Sequence, residues 1–381
     1  MTTNLRQAAG SLLVVGLGAT ELTGLERAWL RLVRPGGVIL FKRNVADAQQ
    51  TRALLDEATG LSMPHSVRCV DVEGGTVNRL REALAQMPSA QAVGAAMRQL
   101  RKPGLAHTHG ELIARAVKAF GFNTTLAPVV DLALPESAEV MGTRSVAPDP
   151  GDVVEFARRF LTGLAAQGVV GCGKHFPGLG GAASDTHFVT PEIDRAWTDI
   201  WEEDLLPYRA LHTEMPMVMM NHAAYPNTPG KNMPASASRF WITTVLMKRI
   251  GYRGIILSDD LEMGGILKFM TVDEAAITAV RAGSDLLEIC HSPELILRTY
   301  EALISEGERS TAFRELLFAR GRRTARMRAK LYAKGVAKAL TAKQFDALRE
   351  QVLRFREMVM TSANEADAAA KQRTASPAET S

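Results

Sequence analysis

Eight short apolar segments, separated by stretches with helical periodicity, constrain the fold of this chain more than any other feature. This alternation is typical of repeated β-α-β units, whose parallel strands are covered on both faces and therefore carry mostly apolar side chains. The predicted strands are residues 12–18, 37–42, 67–71, 123–131, 169–175, 216–221, 254–259 and 285–290. Eight such units predict an α/β protein with a (β/α)₈ TIM barrel, and a doubly wound open sheet is the alternative.

The domain organisation follows from where the strands stop. We predict a barrel over residues 1–292 and helices that pack on the barrel over residues 293–360. Residues 361–381 contain no large apolar side chain and are rich in Ala, Ser, Thr and Glu, so we predict a disordered tail there.

The charge of the chain is unevenly distributed. Residues 320–334 hold seven basic side chains and no acid, so the net charge of +4 becomes −3 without them. A solvated helix face is the usual explanation of such a segment. We therefore predict no nucleic-acid partner.

Apolar segments and cysteines bear on the cellular compartment. Residues 11–20 are apolar and follow a lone Arg6, but a buried strand explains them better than a secretion signal. No apolar segment approaches the ~20 residues that span a bilayer. Three distant cysteines, an odd number, favour a reducing compartment. We expect a cytoplasmic monomer that does not associate with membranes.

Polar side chains follow almost every predicted strand. In a barrel the carboxyl ends of all strands meet at one face, where barrel enzymes hold their active sites. A single polar side chain at a strand end often only caps a helix or a loop, but convergence of many indicates a binding or catalytic face. The polar strand ends are Lys42-Arg43-Asn44, Asp71 with Glu73, Asp131, Lys174-His175, Asn221-His222, Asp259-Asp260 and His291.

Two of these positions suggest acid–base chemistry. The seventh strand delivers Asp259 and Asp260, and strand alternation predicts that only one of them faces the cavity without saying which. Asp185 and His187 are two residues apart in a Gly-rich loop, where a carboxylate could orient an imidazole; a simple loop hydrogen bond is the alternative. A carboxylate nucleophile and a proton donor across a cleft are the minimum for retaining glycoside hydrolysis.

Other segments suggest what the cavity holds. Asp71 and Glu73 precede a Gly-Gly turn and two arginines, a set that suits a hydroxyl-rich ligand and would repel a phosphate. Arg144 is a further candidate contact. The histidines lie on separate loops without compact ligand spacing, so we predict no metal and no cofactor.

Together these segments resemble the bacterial β-N-acetylglucosaminidases of glycoside hydrolase family three, in the single-domain form. The resemblance covers residues 12–291. The segments that carry it, in the family's order, are Asp71-Val-Glu-Gly-Gly with Arg79, Leu126-Ala-Pro-Val-Val-Asp131, Gly142-Thr-Arg144, Lys174-His-Phe-Pro-Gly178, Asp185-Thr-His187, Asn221-His222, Met233-Pro-Ala235 and Leu257-Ser-Asp-Asp-Leu261.

The resemblance implies roles for particular residues. It implies that Asp259 is the nucleophile and that His187, held by Asp185, is the general acid/base. It also implies a set of sugar-binding residues, namely Asp71, Arg79, Arg144, Lys174 and His175. The implied substrates are fragments of cell-wall turnover that carry N-acetylglucosamine. The chain departs from the family at Leu179, where many relatives have His, which puts contacts of the loop in doubt.

Three other functions stay open at this point. A β-glucosidase or β-xylosidase of the same fold is disfavoured by the Asp-x-His loop, because those relatives typically use a Glu as the acid. Phosphorolysis is possible because a neutral His would not repel an incoming phosphate. The third alternative is a barrel that binds sugar without catalysis.

Overall fold

The eight apolar segments form the strands of a closed parallel barrel in the computed structural model, which describes residues 4–182, 184, 190–231 and 233–375. The order of strands around the barrel is β1-β10-β9-β8-β7-β6-β3-β2, and β4 and β5 form a separate antiparallel pair. The prediction of a (β/α)₈ barrel is confirmed, and the open-sheet alternative is wrong. The strands are β1 (Leu13–Gly16), β2 (Gly37–Leu40), β3 (Val67–Val70), β4 (Val72–Gly74), β5 (Val77–Asn78), β6 (Thr124–Thr125), β7 (Val170–Phe176), β8 (Met217–Met220), β9 (Ile255–Asp260) and β10 (Leu286–Ile289).

The fourth predicted strand is shorter than expected. Only Thr124–Thr125 forms a regular strand, and pairing resumes at an isolated bridge between Val129 and Lys174. Pro128 lies between these two points, and a proline has no N–H to donate to a sheet ladder. Backbone hydrogen bonds to β7 continue through this stretch, since the carbonyls of Ala127 and Pro128 accept the N–H groups of Cys172 and Lys174 at 2.8 and 3.2 Å.

Helices surround the barrel and bury their apolar faces against the outer faces of the strands. The helices are α1 (Leu5–Ser11), α2 (Gly24–Val33), α3 (Ala48–Gly60), α4 (Ala90–Leu100), α5 (Gly104–Ala119), α6 (Ala138–Met141), α7 (Pro150–Ala166), α8 (Trp197–Asp199), α9 (Leu206–Leu211), α10 (Gly264–Leu267), α11 (Val272–Ala282), α12 (Pro293–Arg309), α13 (Thr311–Leu331) and α14 (Ala342–Ala375). Wider π-type turns form Ile200–Asp204 and Phe240–Arg249. Within the described residues, no helix is both long and apolar enough to cross a membrane.

The interior of the barrel is a second apolar core, separate from the one under the helices. Inward side chains of successive strands fill it, and the buried thiols of Cys69, Cys172 and Cys290 are among them. Tyr332, just after α13, lies in the same cluster, and its hydroxyl is 2.8 Å from Thr124 Oγ1. This packing leaves the carboxyl ends of the strands as the open end.

The basic segment in α13 is partly buried, which corrects the prediction of a solvated face. Arg320 Nη1 and Arg323 Nε lie 3.3 and 3.0 Å from Asp285 Oδ1. Arg328 is 1% exposed and donates to the carbonyl of Gly36 at 2.8 Å. These arginines therefore fasten α13 to the barrel. The charge pattern alone could not reveal this, because the partners are distant in sequence.

The last helix corrects the prediction of a disordered tail. Residues 361–375 continue α14, and residues 376–381 lie outside the described residues. Leu348, Val352 and Val359 are buried, so packing supports the earlier turns of this helix. The Ala, Glu, Lys and Arg residues that follow are strong helix formers and extend a helix that packing has already nucleated.

Candidate active site

A cavity of about 150 Å³ opens at the carboxyl ends of the barrel strands. All five predicted sugar-binding residues line it, and so do both aspartates at the end of β9. Of the seven predicted polar strand ends, four line the cavity, namely Asp71 with Glu73, Lys174-His175, Asp259-Asp260 and His291, whereas Lys42-Arg43-Asn44, Asp131 and Asn221-His222 do not. The polar residues around the cavity are Asp71, Glu73, Arg79, Arg144, Lys174, His175, Asp259, Asp260, Glu288 and His291.

One side of the cavity is a network of alternating charges. Lys174 Nζ lies 2.8 Å from Asp71 Oδ1 and 2.6 Å from Glu73 Oε1. Arg144 forms a two-pronged pair with Glu73, with Nε 2.8 Å from Oε2 and Nη2 2.9 Å from Oε1. Arg79 Nη2 is 3.7 Å from Asp71 Oδ2. Each buried carboxylate of this network thus has at least two cations nearby.

This pairing keeps the network charged despite its burial. Burial alone would raise the pKa of Asp71, but Lys174 and Arg79 outweigh it and lower that pKa. Burial acts against ionisation of Glu73 as well, yet Arg144 and Lys174 hold its pKa far below the usual range. The two carboxylates in turn raise the pKa of Lys174 against the effect of burial. These donors and acceptors keep fixed charges around neutral pH.

Asp131 holds His175 at the end of β7. Its Oδ2 lies 2.6 Å from His175 Nδ1, and its two oxygens accept the backbone N–H of His175 at 3.1 Å. The Asp131 side chain is fully buried. Because a carboxylate can only accept, pairing with ionised Asp131 selects the tautomer in which Nδ1 is the donor. The other ring nitrogen, Nε2, lies 3.3 Å from Arg144 Nη2. The sequence placed Asp131 at a strand end but did not assign it this supporting role.

Leu179 lines the cavity at the position where the family resemblance expects a histidine. Its backbone N–H still donates to Asp131 Oδ1 at 2.8 Å. The departure therefore places an apolar side chain at the cavity and leaves the backbone contact of the loop intact.

Both aspartates of β9 line the cavity, so the expectation that only one would face it is wrong. The reason lies in the register between β9 and β10. Leu286 pairs with Leu257 but Glu288 pairs with Asp260, so β9 gains one residue between these pairs and strict alternation fails.

The two aspartates differ in what they contact. Asp260 Oδ1 accepts the backbone N–H of Glu262 at 3.1 Å and of Cys290 at 3.2 Å, and its Oδ2 lies 3.6 Å from His291 Nε2. Burial raises the pKa of Asp260 to about 7. Asp259 is half-buried and accepts only the backbone N–H of Asp260, at 2.9 Å, within the described part of the chain. Asp260 thus supports the strand ends, and Asp259 offers its carboxylate to the cavity.

Glu288 is a cavity residue that the sequence analysis missed. It is 2% exposed, lies on β10, and its Oε1 has no hydrogen-bond partner among residues 4–182, 184, 190–231 and 233–375. A charged residue inside an otherwise apolar strand was the available signal, because such a strand has no other reason to carry one.

Within the described residues, Asp260, Glu262 and His291 are the one group spaced closely enough to hold a metal ion. Both Glu262 oxygens are already used, since they accept the backbone N–H groups of Cys290 (2.9 Å), His291 and Ser292 (2.7 Å). Arg43 Nη1 lies 3.1 Å from His291 Nδ1, and a cation there opposes a metal. The arrangement fits a hydrogen-bonded turn between β9 and β10 better than a metal centre.

Comparison with known proteins places this architecture in a family. The N-terminal domain of glycosyl hydrolase family 3 matches residues 5–317, which is most of the chain. The chain belongs to glycosyl hydrolase family 3. It is accordingly a glycoside hydrolase, and the resemblance drawn from its sequence is confirmed.

Relatives and solved structures of the family agree with this membership. A β-hexosaminidase of Chromobacterium violaceum is 37% identical over 284 residues, which cover 74% of this chain and 79% of the relative. The structure of a family 3 β-N-acetylglucosaminidase from Paenibacillus superposes with a TM-score of 0.82 at 28% identity, over 93% of this chain and 69% of that one. NagZ of Neisseria gonorrhoeae, in complex with N-trifluoroacetyl-D-glucosamine, gives a TM-score of 0.73 at 29% identity, over 93% and 98% of the two chains.

Two predicted residues of this family 3 enzyme, Asp185 and His187, lie outside the described residues. The chain on either side of them is at the carboxyl end of the barrel. Leu179 lines the cavity before the segment, and Thr190 after it donates to the carbonyl of Gly265, just beyond β9, at 2.5 Å. The roles of Asp185 and His187 stay predictions.

Proposed function

We propose that this family 3 enzyme is a retaining exo-β-N-acetylglucosaminidase in which Asp259 is the nucleophile and His187, held by Asp185, is the general acid/base. The observation that carries the proposal is the half-buried Asp259 carboxylate at a cavity where Asp71 and Glu73 are paired with cations and Asp260 accepts backbone hydrogen bonds. The names of the relatives support the sugar, since they are a β-hexosaminidase, a β-N-acetylglucosaminidase and a protein in complex with N-trifluoroacetyl-D-glucosamine.

The proposed reaction has two steps, formation of a glycosyl ester and its hydrolysis. An oxygen of Asp259 attacks the anomeric carbon and forms a glycosyl ester, while the bond to the leaving oxygen breaks and His187 gives that oxygen a proton. In the second step neutral His187 takes a proton from water, which attacks the anomeric carbon and releases Asp259 as a carboxylate. An imidazole with a pKa near ~6.5 suits both roles at neutral pH.

The charge network gives the cavity its sugar-binding groups. Asp71, Arg79, Arg144, Lys174 and His175 are the residues that we propose bind the sugar. Carboxylates accept hydrogen bonds from sugar hydroxyls, and the cations donate to sugar oxygens. Because the network is already paired, a neutral sugar binds without adding a buried charge.

The proposed substrates are cell-wall fragments with a terminal N-acetylglucosamine, as the family resemblance implies. A small cavity at the end of a barrel fits the removal of one terminal sugar. In this proposal residues 1–292 carry the reaction and residues 293–360 brace the barrel. The cytoplasmic location and the monomeric state stay predictions.

Hydrolysis is favoured over phosphorolysis by the charges around the cavity. Lys174 and Arg144 are both engaged by carboxylates, so neither is available to an incoming phosphate without breaking a buried pair. Asp71 and Glu73 add repulsion against an anion. Water is therefore the expected acceptor of the glycosyl group.

One experiment tests both the sugar and the acceptor. Release from an aryl β-N-acetylglucosaminide is measured beside the aryl β-glucoside and β-xyloside, with about 10 mM phosphate present, at which charges are only partly screened. We expect the N-acetylglucosaminide to be the best substrate and free N-acetylglucosamine to be the main product. Faster formation of N-acetylglucosamine-1-phosphate would establish phosphorolysis instead, and a preference for glucoside or xyloside would change the assigned sugar.

A further inference from the structure

Glu288 points into the barrel, not toward the helices. The side chains of Leu286 on β10 and of Cys290 directly after it belong to the cluster inside the barrel, whereas Leu287 and Ile289 pack in the core under the helices. Successive side chains of a strand alternate between its two faces. Glu288 therefore shares the inward face, and it lines the cavity that also holds Asp259.

The surroundings of Glu288 match those of a ligand-binding group. Glu288 is 2% exposed and Lys174, which lines the same cavity, is 3% exposed, so both side chains present a similarly small surface to the cavity. Lys174 has two carboxylates as partners, but Glu288 Oε1 has no hydrogen-bond partner in the described part of the chain. Leaving a buried polar group unsatisfied costs free energy, which a ligand in the cavity recovers by accepting its hydrogen bond.

The charges around Glu288 favour its neutral form. Burial raises the pKa of Glu288 well above its usual range; Asp259, Asp71 and Asp260 raise it further, and Lys174 opposes them. The strands β1, β2, β6 and β8 contribute no titratable side chain. The titratable groups that face it are Asp259 and Asp260 on β9, Asp71 and Cys69 at β3, Lys174 and Cys172 on β7, and Cys290 after β10.

We propose that Glu288 is a further sugar-binding residue whose protonated carboxyl donates a hydrogen bond to an oxygen of the sugar lying against Asp259. This inference rests on the proposed function, because it requires a sugar in the cavity. A neutral carboxyl adds a donor without adding a charge beside the nucleophile. Lys174 and Arg144 donate hydrogen bonds from one side of the cavity. The protonated carboxyl of Glu288 adds a donor on the β10 side.

The inference predicts how sugar binding depends on pH. Only the protonated carboxyl donates, so affinity is full below the raised pKa of Glu288 and falls as pH rises through it. Because the pKa of Glu288 is raised well above its usual range, the loss is expected at a pH well above that at which an ordinary glutamate titrates.

The test is the dissociation constant of N-acetylglucosamine, measured by calorimetry from about pH 6 to about pH 10, a range that spans the ionisation of buried carboxyls. Glu288→Gln keeps an uncharged donor, so we expect affinity close to that of the wild type at neutral pH and no alkaline loss. Glu288→Leu has a similar size but no donor, so at neutral pH we expect about tenfold weaker binding than the wild type, equivalent to about 1.4 kcal/mol, and no further loss at alkaline pH. Melting temperatures of all variants show whether the fold is kept.

Cys290→Ala is the matched control, because Cys290 lines the same cavity and carries a second titratable side chain there, a thiol whose pKa burial raises well above its usual range. This variant should keep the alkaline loss of affinity. The inference is overturned if Glu288→Leu binds as tightly as the wild type, or if Glu288→Gln retains the alkaline loss. If the wild-type protein neither binds N-acetylglucosamine nor releases it from the aryl substrate, the proposed function fails as well, so the two failures are distinguishable.

Discussion

The cavity has a lysine side, formed by Asp71, Glu73, Arg144 and Lys174, and an acid side, formed by Asp259, Asp260 and Glu288. On the lysine side every carboxylate is paired with cations, and the pKa values of Asp71 and Glu73 are lowered. On the acid side the pKa values of Asp260 and Glu288 are raised by burial. One side keeps constant charges, whereas the other side changes its charge with pH and during the reaction.

The difference shows how one barrel rim separates binding from chemistry. Fixed pairs position a sugar well because they do not rearrange or titrate near neutral pH. A nucleophile must instead lose and regain its negative charge during a double displacement, so a strong ion pair would oppose the change. Substitutions on the acid side should thus affect activity more than folding, and substitutions on the lysine side should affect both.

The largest expected effect is that of Asp259→Ala on the acid side. Loss of the nucleophile should reduce kcat by about 10⁴-fold or more, as removal of nucleophiles does in other enzymes. Because Asp259 is half-buried and accepts one backbone hydrogen bond, the melting temperature should change little. Steady-state kinetics with an aryl substrate and thermal unfolding check both halves of this prediction. A large loss of stability would contradict the expectation that substitutions on the acid side affect activity more than folding.

Lys174→Met should destabilise the fold as well as weaken sugar binding. It leaves Asp71 and Glu73 buried with fewer cations, and breaking a buried pair from one side costs about 3–5 kcal/mol. Urea unfolding measures this loss. The double variant Lys174→Met with Asp71→Asn should recover part of it, because it removes one uncompensated charge. If the free energy of unfolding of Lys174→Met equals that of the wild type, the ion pairs of Lys174 do not stabilise the fold.

The titration of Asp260 should make stability depend on pH near neutrality. Its pKa is about 7 in the folded protein and about 3.9 when unfolded. Between these values the unfolded chain has released the proton that the folded protein still holds, so stability falls as pH rises from about 4 to about 7 and then levels off. Asp260→Asn lacks this fall, so its stability relative to the wild type should increase across that window in unfolding experiments.

Asp71→Asn on the lysine side is the comparison for Asp260→Asn. The lowered pKa of Asp71 means that its ionised form contributes stability above its unfolded pKa, and this contribution is lost as pH falls through the folded value. The difference between Asp71→Asn and the wild type should therefore change only in acid. Equal pH dependence of the two variants would contradict the division into two sides.

The smallest expected effect is that of Arg79→Ala on stability. The Arg79 side chain is 36% exposed, and its nearest nitrogen is 3.7 Å from Asp71. Exposed pairs contribute about 0–1 kcal/mol, so thermal unfolding should show a small shift while affinity for N-acetylglucosamine falls. A loss as large as that of Lys174→Met would show that the pair of Arg79 with Asp71 contributes as much to stability as the buried pairs of Lys174.

The strands could be predicted because each is a short apolar segment. The meeting of polar residues at one face could be predicted because all strands of a parallel barrel end on the same side. The orientation of Asp259 and Asp260 could not be predicted, since it depends on an extra residue of β9 in its pairing with β10. Glu288 was missed because sequence alone does not show which face of β10 is inward. The burial of Arg328 depends on contact with Gly36, which no local pattern reveals.

The central claim, that Asp259 is the nucleophile of a retaining reaction, is tested most directly by trapping its glycosyl ester. A 5-fluoro glycosyl fluoride of N-acetylglucosamine keeps the acetamido group and slows both steps, so the ester should accumulate and be found by peptide mass spectrometry. We predict a label on Asp259 in the wild type and none in Asp259→Ala. A label on Asp260, or turnover of the reagent to a product of inverted configuration without any label, would contradict the claim.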